Sequence, residues 1–118
     1  MFRRLTLIAS LTFASAAPAL AEFAKVQSEA AFVQLIKGKT LTRPLVKIEV
    51  ASTGAISGKG ALWPISGIWT WKDGYFCRSL EWGGDDLGYD CQEVTASGSK
   101  VRFTSDQGSG DSADFRLR

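Results

Sequence analysis

The residues of this chain that could do chemistry are concentrated in one stretch, WTWKDGYFCRSLEWGGDDLGYDC, which spans residues 69–91. A hairpin that pairs Cys77 with Cys91 places Arg78 opposite Asp90 on an otherwise aromatic face. A charge on such a face must be paired or used for binding. One interpretation is an ion pair with Arg78 stacked on Trp69; the other is a contact for an anionic ligand at the mouth of a barrel. The ion pair is favoured because Asp90 already neutralises Arg78. The candidate binding residues are Arg78, Trp69, Trp71, Trp82 and Asp90.

The two cysteines of the chain, Cys77 and Cys91, are predicted to form a disulfide between adjacent antiparallel strands. Closing a loop of about 15 residues stabilises a small domain by roughly 3 kcal/mol in the entropy model. A redox-active pair is the alternative, but the sequence has no Cys-x-x-Cys motif and no adjacent helix start that would lower a thiol pKa.

Other candidate chemistry is weaker. Asp85, Asp86 and Asp90 could supply oxygen ligands to calcium or act as catalytic carboxylates, but the EF-hand spacing is absent, and a solvated turn is favoured. The stretch Gly54–Gly60 departs from a phosphate-binding loop, because it is one residue short and no Ser or Thr follows Lys59. The chain has no histidine, which removes the commonest catalytic and zinc-binding routes. We therefore predict no catalytic residue, no metal and no cofactor.

Residues 1–21 have the pattern of an export signal. Arg3 and Arg4 precede an apolar run that ends at the small-x-small site Ala19-Leu20-Ala21. This pattern predicts cleavage after Ala21, one domain over residues 22–118, and a periplasmic location where the disulfide can form.

Composition limits the partners. The chain holds 14 basic and 12 acidic residues, and the signal accounts for the excess through Arg3 and Arg4. A neutral domain without a basic run gives no support for nucleic-acid binding. No second apolar run approaches the length that spans a bilayer, so we predict no membrane insertion. We expect a monomer whose partner is an unknown small molecule or a periplasmic protein.

One short helix is predicted before the strands. Ser28 can cap its start, Phe32, Leu35 and Ile36 share one face, and Gly38 ends it. The hydrophobic period then changes to two, and turn residues separate seven predicted strands: Leu45–Val50, Ala55–Leu62, Gly67–Trp71, Tyr75–Trp82, Tyr89–Thr95, Lys100–Thr104 and Ser112–Leu117.

The turns predict a consistent set of strand registers. Asp73-Gly74 pairs Trp71 with Phe76, and a Ser97-Gly98 turn pairs Val94 with Val101. All registers put one set of apolar residues on a single face and a charge ladder, Glu93–Arg102–Asp114, on the other. The predicted fold class is mainly β: a short N-terminal helix, then an antiparallel meander curled into a small barrel or half-barrel with one disulfide.

The segments WTWKDGYFCR and DCQ, and the ending DQGSGDSADF, resemble those of a family of small exported alphaproteobacterial proteins. Some relatives are labelled dihydrodipicolinate reductase, an activity that needs a dinucleotide-binding domain and its glycine fingerprint, which this sequence lacks. A short exported β-barrel with one disulfide is also similar, in architecture, to bacterial periplasmic inhibitors of metalloproteases.

From these observations we predict a non-enzymatic periplasmic binding or accessory module. The alternative is a protease inhibitor with a lipocalin-like barrel, acting through a flexible Glu22–Gln27 segment. A carboxylate-based enzyme that uses Asp85, Asp86 or Asp90 is disfavoured. A deep pocket lined by the tryptophans would favour small-molecule binding, whereas a filled barrel with a protruding N-terminus would favour inhibition.

Overall fold

The computed structural model describes residues 6, 8–10, 12 and 22–118. The predicted export signal, residues 1–21, lies largely outside the described residues. Among the described residues, no helix is both long and apolar enough to cross a membrane.

The described chain begins with a two-residue strand and one helix. Strand β1 covers Ala24–Lys25, and helix α1 covers Glu29–Ile36. The hydroxyl of Ser28 accepts a hydrogen bond from the backbone N–H of Ala31 at 3.1 Å, which confirms the predicted cap. Phe32 and Ile36 are the buried residues of α1, as their spacing predicts.

Eight further strands follow α1, and consecutive strands are joined by hairpins. Their bounds are β2 Leu41–Arg43, β3 Val46–Val50, β4 Ala55–Gly60, β5 Trp63–Lys72, β6 Tyr75–Trp82, β7 Asp85–Ser97, β8 Lys100–Thr104 and β9 Ser112–Leu117.

The eight strands form a closed antiparallel barrel. Each pairs with the next in sequence from β2 to β9, and β2 pairs with β9 through Leu41↔Leu117 and Thr42↔Arg116. Strand β1 adds to β7 through Ala24↔Ala96 and Lys25↔Thr95. The sequence predicted a meander that curls into a barrel or half-barrel. It did not predict β2, the short strand that closes the barrel.

Two glycines lie where a side chain would collide with the backbone of the neighbouring barrel strand. A Cβ atom at Gly58 would collide with the carbonyl oxygen of Lys47, and one at Gly67 would collide with that of Ser79. Both positions therefore need a residue without a side chain, as expected where strands bend around a small barrel.

Most predicted registers are confirmed. Trp71↔Phe76 and Trp69↔Arg78 pair across the Asp73-Gly74 turn, and Cys77↔Cys91 and Arg78↔Asp90 pair between β6 and β7. The pairing of Arg102 with Asp114 is also as predicted.

The register between β7 and β8 differs from the prediction by two residues. The turn residues are Gly98 and Ser99, with Gly98 at φ 56°, so Val94 pairs with Phe103 and Thr95 pairs with Arg102. A glycine at the first central position of a two-residue hairpin favours this turn. Because the shift is even, every side chain keeps its face, but the predicted ladder is wrong at Glu93, which pairs with Thr104 instead of Arg102.

The barrel interior is filled. Phe32 is fully buried, and its ring centroid lies 5.2 Å from Trp69, 5.4 Å from Trp71, 5.2 Å from Phe76 and 6.3 Å from Phe103. An eight-stranded barrel is just wide enough for side chains to occupy its centre. Helix α1 therefore supplies the ring around which the inner aromatic residues pack.

The Cys77–Cys91 disulfide is formed, and it joins β6 to β7. The described residues contain no free cysteine. A structural disulfide of this kind fits an exported protein.

Candidate functional site

The structure brings Arg78 and Asp90 together in register but gives each a different partner. The guanidinium of Arg78 donates to the carbonyl oxygen of Gly88 at 3.0 Å. The carboxylate of Asp90 accepts a hydrogen bond from the backbone N–H of Asp106 at 3.2 Å. The expected ion pair and the expected stacking of Arg78 on Trp69 are both wrong. Among the described residues, neither Arg78 nor Asp90 takes part in a salt bridge, and Arg78 makes no cation–π contact.

The three candidate tryptophans do not share one pocket. Trp69 is 4% exposed, and its indole N–H donates to the carbonyl oxygen of Ala51 at 2.8 Å. Trp71 stacks on Phe32. Trp82 is 40% exposed and donates to the carbonyl oxygen of Gly60 beside the β4–β5 turn. Two of the rings therefore serve core packing, and a binding role for the group with Arg78 stays a prediction.

The β6–β7 hairpin leaves the carboxylates of Asp85 and Asp86 exposed, as expected of a solvated turn. The turn is only Gly83-Gly84, and a bulge at Leu80/Glu81 lets the strands continue to Asp85. Asp86 accepts a hydrogen bond from the backbone N–H of Gly88 at 2.7 Å. Within the described residues, no group of three or more carboxylates or cysteines is placed to hold a metal ion.

The N-terminal segment, which the inhibitor hypothesis treats as flexible, is docked on the barrel instead. Val26 is 8% exposed, and its N–H donates to the carbonyl oxygen of Val94 at 2.9 Å. The guanidinium of Arg102 lies 3.8 Å from the ring centroid of Phe23. These contacts leave Glu22–Gln27 held against β7 and β8 rather than protruding.

A different surface has the geometry of a binding site. An open groove of about 1310 Å³ runs over the wall made by β2, β3, β4 and β9. Six of its lining side chains are cationic and two are acidic. The cations are Arg43, Lys47, Lys59, Lys100, Arg116 and Arg118, and the acids are Glu49 and Asp114.

Four of these cations form one row across neighbouring strands, which we call the basic row: Lys100, Arg116, Lys47 and Lys59, with Thr42 at its centre. The Cα pairing runs Lys100↔Arg116, Arg116↔Thr42, Thr42↔Lys47 and Lys47↔Lys59. Adjacent strands are about 4.8 Å apart, so the row spans roughly 19 Å. All four cations are exposed.

Two pairs within the basic row oppose like charges. Lys47 lies directly across from Lys59, and Lys100 lies directly across from Arg116. Like charges at directly opposite positions of a sheet are destabilising. None of the four forms a salt bridge within the part of the chain that the structure describes.

The acids near the basic row neutralise it only in part. Asp114 is bound by Arg102, at 2.7 Å between Oδ1 and Nε and 3.0 Å between Oδ2 and the guanidinium Nη2. The hydrogen bond from Arg102 lowers the pKa of Asp114, and Lys100 and Arg43 lower it further through their charge. Glu49 belongs to a neighbouring row, opposite Ser57.

Sequence reasoning missed this site because the row crosses a strand that it did not predict. Without β2, nothing connected Lys100 and Arg116 to Lys47 and Lys59. The only hint in the sequence is the apolar-polar order of Leu41, Thr42 and Arg43 after Gly38, and three residues are too few to indicate a strand.

No family model, curated protein or solved structure matches this chain.

Proposed function

We propose that this protein is a non-enzymatic periplasmic module that binds an anionic partner through the basic row. The observation that carries the proposal is the directly opposite placement of like charges, Lys47 across from Lys59 and Lys100 across from Arg116. This placement lowers the stability of the free protein, and an anion placed between the cations would remove the repulsion.

The shape of the protein supports an external site. Phe32 and its four aromatic neighbours occupy the barrel centre, so a ligand of appreciable size would have to bind outside. The groove over β2, β3, β4 and β9 is a concave surface of about 1310 Å³ with Lys47 and Lys59 in its lining. The cations lie on strands of a closed barrel, which fixes the spacing of their Cα atoms. Binding therefore does not require the entropy loss of ordering a flexible loop.

The two alternatives have less support. A protease inhibitor that acts through Glu22–Gln27 would have to release β1 from β7 and Val26 from its buried position. An enzyme that acts through Asp90 would rely on a carboxylate that already accepts a hydrogen bond from the backbone N–H of Asp106, and the two acids beside it in sequence, Asp85 and Asp86, are exposed. Binding at the basic row requires no rearrangement of these segments.

The test is a calorimetric titration with inorganic polyphosphate at about 0.15 M ionic strength, where the Debye length is about 8 Å. We expect Lys59→Glu and Lys47→Glu each to weaken binding by about tenfold, which corresponds to ~1.4 kcal/mol. Lys72→Glu is the matched control, because Lys72 is also an exposed strand lysine but lies at the end of β5, outside the groove. It should change the affinity by less than about twofold, as a surface charge more than a Debye length away does.

The proposal would be contradicted if polyphosphate failed to bind, or if Lys72→Glu weakened binding as much as Lys59→Glu. The second result would mean that net charge, rather than the basic row, governs binding.

A further inference from the structure

Two adjoining turns at one end of the barrel carry strongly exposed large apolar side chains. Leu45 in the β2–β3 turn is 80% exposed, while Leu62 and Trp63 at the β4–β5 turn are 89% and 60% exposed. The turns are joined, since the backbone N–H of Ala61 donates to the carbonyl oxygen of Leu45 at 2.7 Å. Leu45, Leu62 and Trp63 therefore form one surface feature, the apolar ridge.

The backbone holds this ridge in an uncommon conformation. Leu45 has φ 66° and Ala61 has φ 52°, in the left-handed region that residues with a side chain rarely adopt. Glycine would fit either position with less strain, yet the chain places a leucine at one of them and exposes it. Strained positions of this kind are concentrated at functional sites.

The charges around the apolar ridge are asymmetric. Arg43, Lys47 and Lys59 lie on the strands that enter and leave the two turns, and all three are exposed. The carboxylates Asp85 and Asp86 lie on the β6–β7 hairpin, beyond Trp63, whose ring packs over Gly83. An anionic surface would therefore be attracted on the β2–β4 side of the ridge and repelled on the β6–β7 side.

We infer that the anionic partner of the basic row is a lipid surface, and that the apolar ridge enters its headgroup layer. This inference rests on the proposed function and names its partner. Proteins bind at the interface of an anionic bilayer through apolar side chains, such as tryptophan and leucine, that lie beside lysine and arginine. The apolar side chains enter the headgroup boundary, and the cations contact the lipid phosphates. Such a contact is peripheral, with the barrel outside the hydrocarbon core.

The experiment is co-sedimentation with vesicles of phosphatidylglycerol and phosphatidylcholine, compared with vesicles of phosphatidylcholine alone. We expect binding to the anionic vesicles and a loss of about tenfold in partitioning for Leu62→Ser and for Leu45→Ser. Leu87→Ser is the matched control, because Leu87 is 51% exposed but lies on the acidic β6–β7 hairpin. It should leave partitioning unchanged. The experiment uses the natively exported protein, from which cleavage after Ala21 is predicted to have removed residues 1–21.

A second measurement separates this inference from the proposed function. Leu62→Ser and Leu45→Ser should bind inorganic polyphosphate as the parent does, whereas Lys59→Glu should weaken both polyphosphate and vesicle binding by about tenfold. Polyphosphate binding without preference for anionic vesicles would overturn the lipid inference and leave the proposed function standing. If neither polyphosphate nor anionic vesicles bind, the proposed function and the lipid inference are both overturned. If Leu87→Ser lowers partitioning as much as Leu62→Ser does, the assignment of the apolar ridge is overturned.

Discussion

Lys47 and Lys59 face each other as direct partners on neighbouring strands of a closed barrel. Gly58 lies next to Lys59 and allows β4 to approach the backbone of β3, where a Cβ would collide with the carbonyl oxygen of Lys47. Two cations thus lie opposite each other on the outer surface of the barrel. The repulsion between directly opposite like charges lowers stability by about 0.2–1 kcal/mol.

Relieving this repulsion should stabilise the protein. We expect Lys59→Glu to raise the free energy of unfolding by about 0.5–1 kcal/mol at low salt, because Lys47 would then face a carboxylate. For a domain of this size that is a rise in Tm of roughly 2–8 °C, measured by calorimetry. The control is Lys47→Glu together with Lys59→Glu, which restores like charges and should cancel the gain. An unchanged Tm in the single variant would show that the two lysines do not repel each other appreciably.

The position of Phe32 predicts a large loss of stability on truncation. Phe32→Ala should lower the free energy of unfolding by about 3–5 kcal/mol, because a fully buried ring that contacts Trp69, Phe76 and Phe103 is replaced by a cavity. Urea unfolding measures the change. Gln34→Ala, on the exposed side of α1, should stay within about 0.5 kcal/mol of the parent. A small effect of Phe32→Ala would mean that the barrel is not filled by this ring.

Arg78 and Asp90 should be only weakly coupled. A double-mutant cycle of Arg78→Leu and Asp90→Ala should give a coupling energy of no more than about 1 kcal/mol, the range of directly opposite charges, because each side chain has its own backbone hydrogen-bond partner. Asp90→Ala alone should cost about 1 kcal/mol, since it leaves the N–H of Asp106 without its acceptor. Arg102 with Asp114 provides a positive control for coupling. A coupling above about 1.5 kcal/mol would restore the ion pair.

The Arg102–Asp114 pair predicts a pH dependence with a definite sign. Because the hydrogen bond from Arg102 lowers the pKa of Asp114 from 3.8, the folded state binds fewer protons there than the unfolded state. The contribution to stability is therefore complete above the unfolded value and is lost as pH falls through the folded value. An NMR titration of the Asp114 carboxyl group should show the lowered midpoint, and Asp114→Asn should weaken the acid dependence of stability. A midpoint at or above 3.8 would be inconsistent with the pair.

The disulfide should be formed in the exported protein and should stabilise it. Reduction is expected to add the mass of two hydrogens, and Cys91→Ser should lower stability by roughly 3 kcal/mol, since the bond closes a loop with a sequence separation of 14. Cys77→Ser should match Cys91→Ser if loss of the bond is the cause. Free thiols in the natively exported protein would contradict the β6–β7 arrangement.

The parts of the fold that the sequence predicted are those determined by local patterns. Two-residue turns such as Asp73-Gly74 determine the register, and alternation then determines the face, so Trp69 and Phe76 were placed inside correctly. The error at Gly98 shows the limit of this reasoning. Moving the turn by one residue shifts the partners by two, which leaves the faces unchanged and hides the mistake.

The basic row was not predictable in the same way. It depends on β2, a strand of three residues, and on the contact of β2 with β9 at the far end of the chain. So short a segment has too little periodicity to indicate a strand. Arg78 illustrates the opposite difficulty. Its face and its position opposite Asp90 were predicted correctly. Its hydrogen bond to the carbonyl oxygen of Gly88 depends on side-chain geometry, which the strand register does not specify.

The most direct test of the central claim is a residue-resolved NMR titration of the protein with inorganic polyphosphate. We predict that the largest changes in backbone amide shifts fall on Thr42, Lys47, Lys59, Lys100 and Arg116, which belong to one row across five strands. Amides around Arg78 and Asp90 should change little. Changes centred on Arg78, or spread evenly over all exposed lysines and arginines, would contradict a binding site at the basic row.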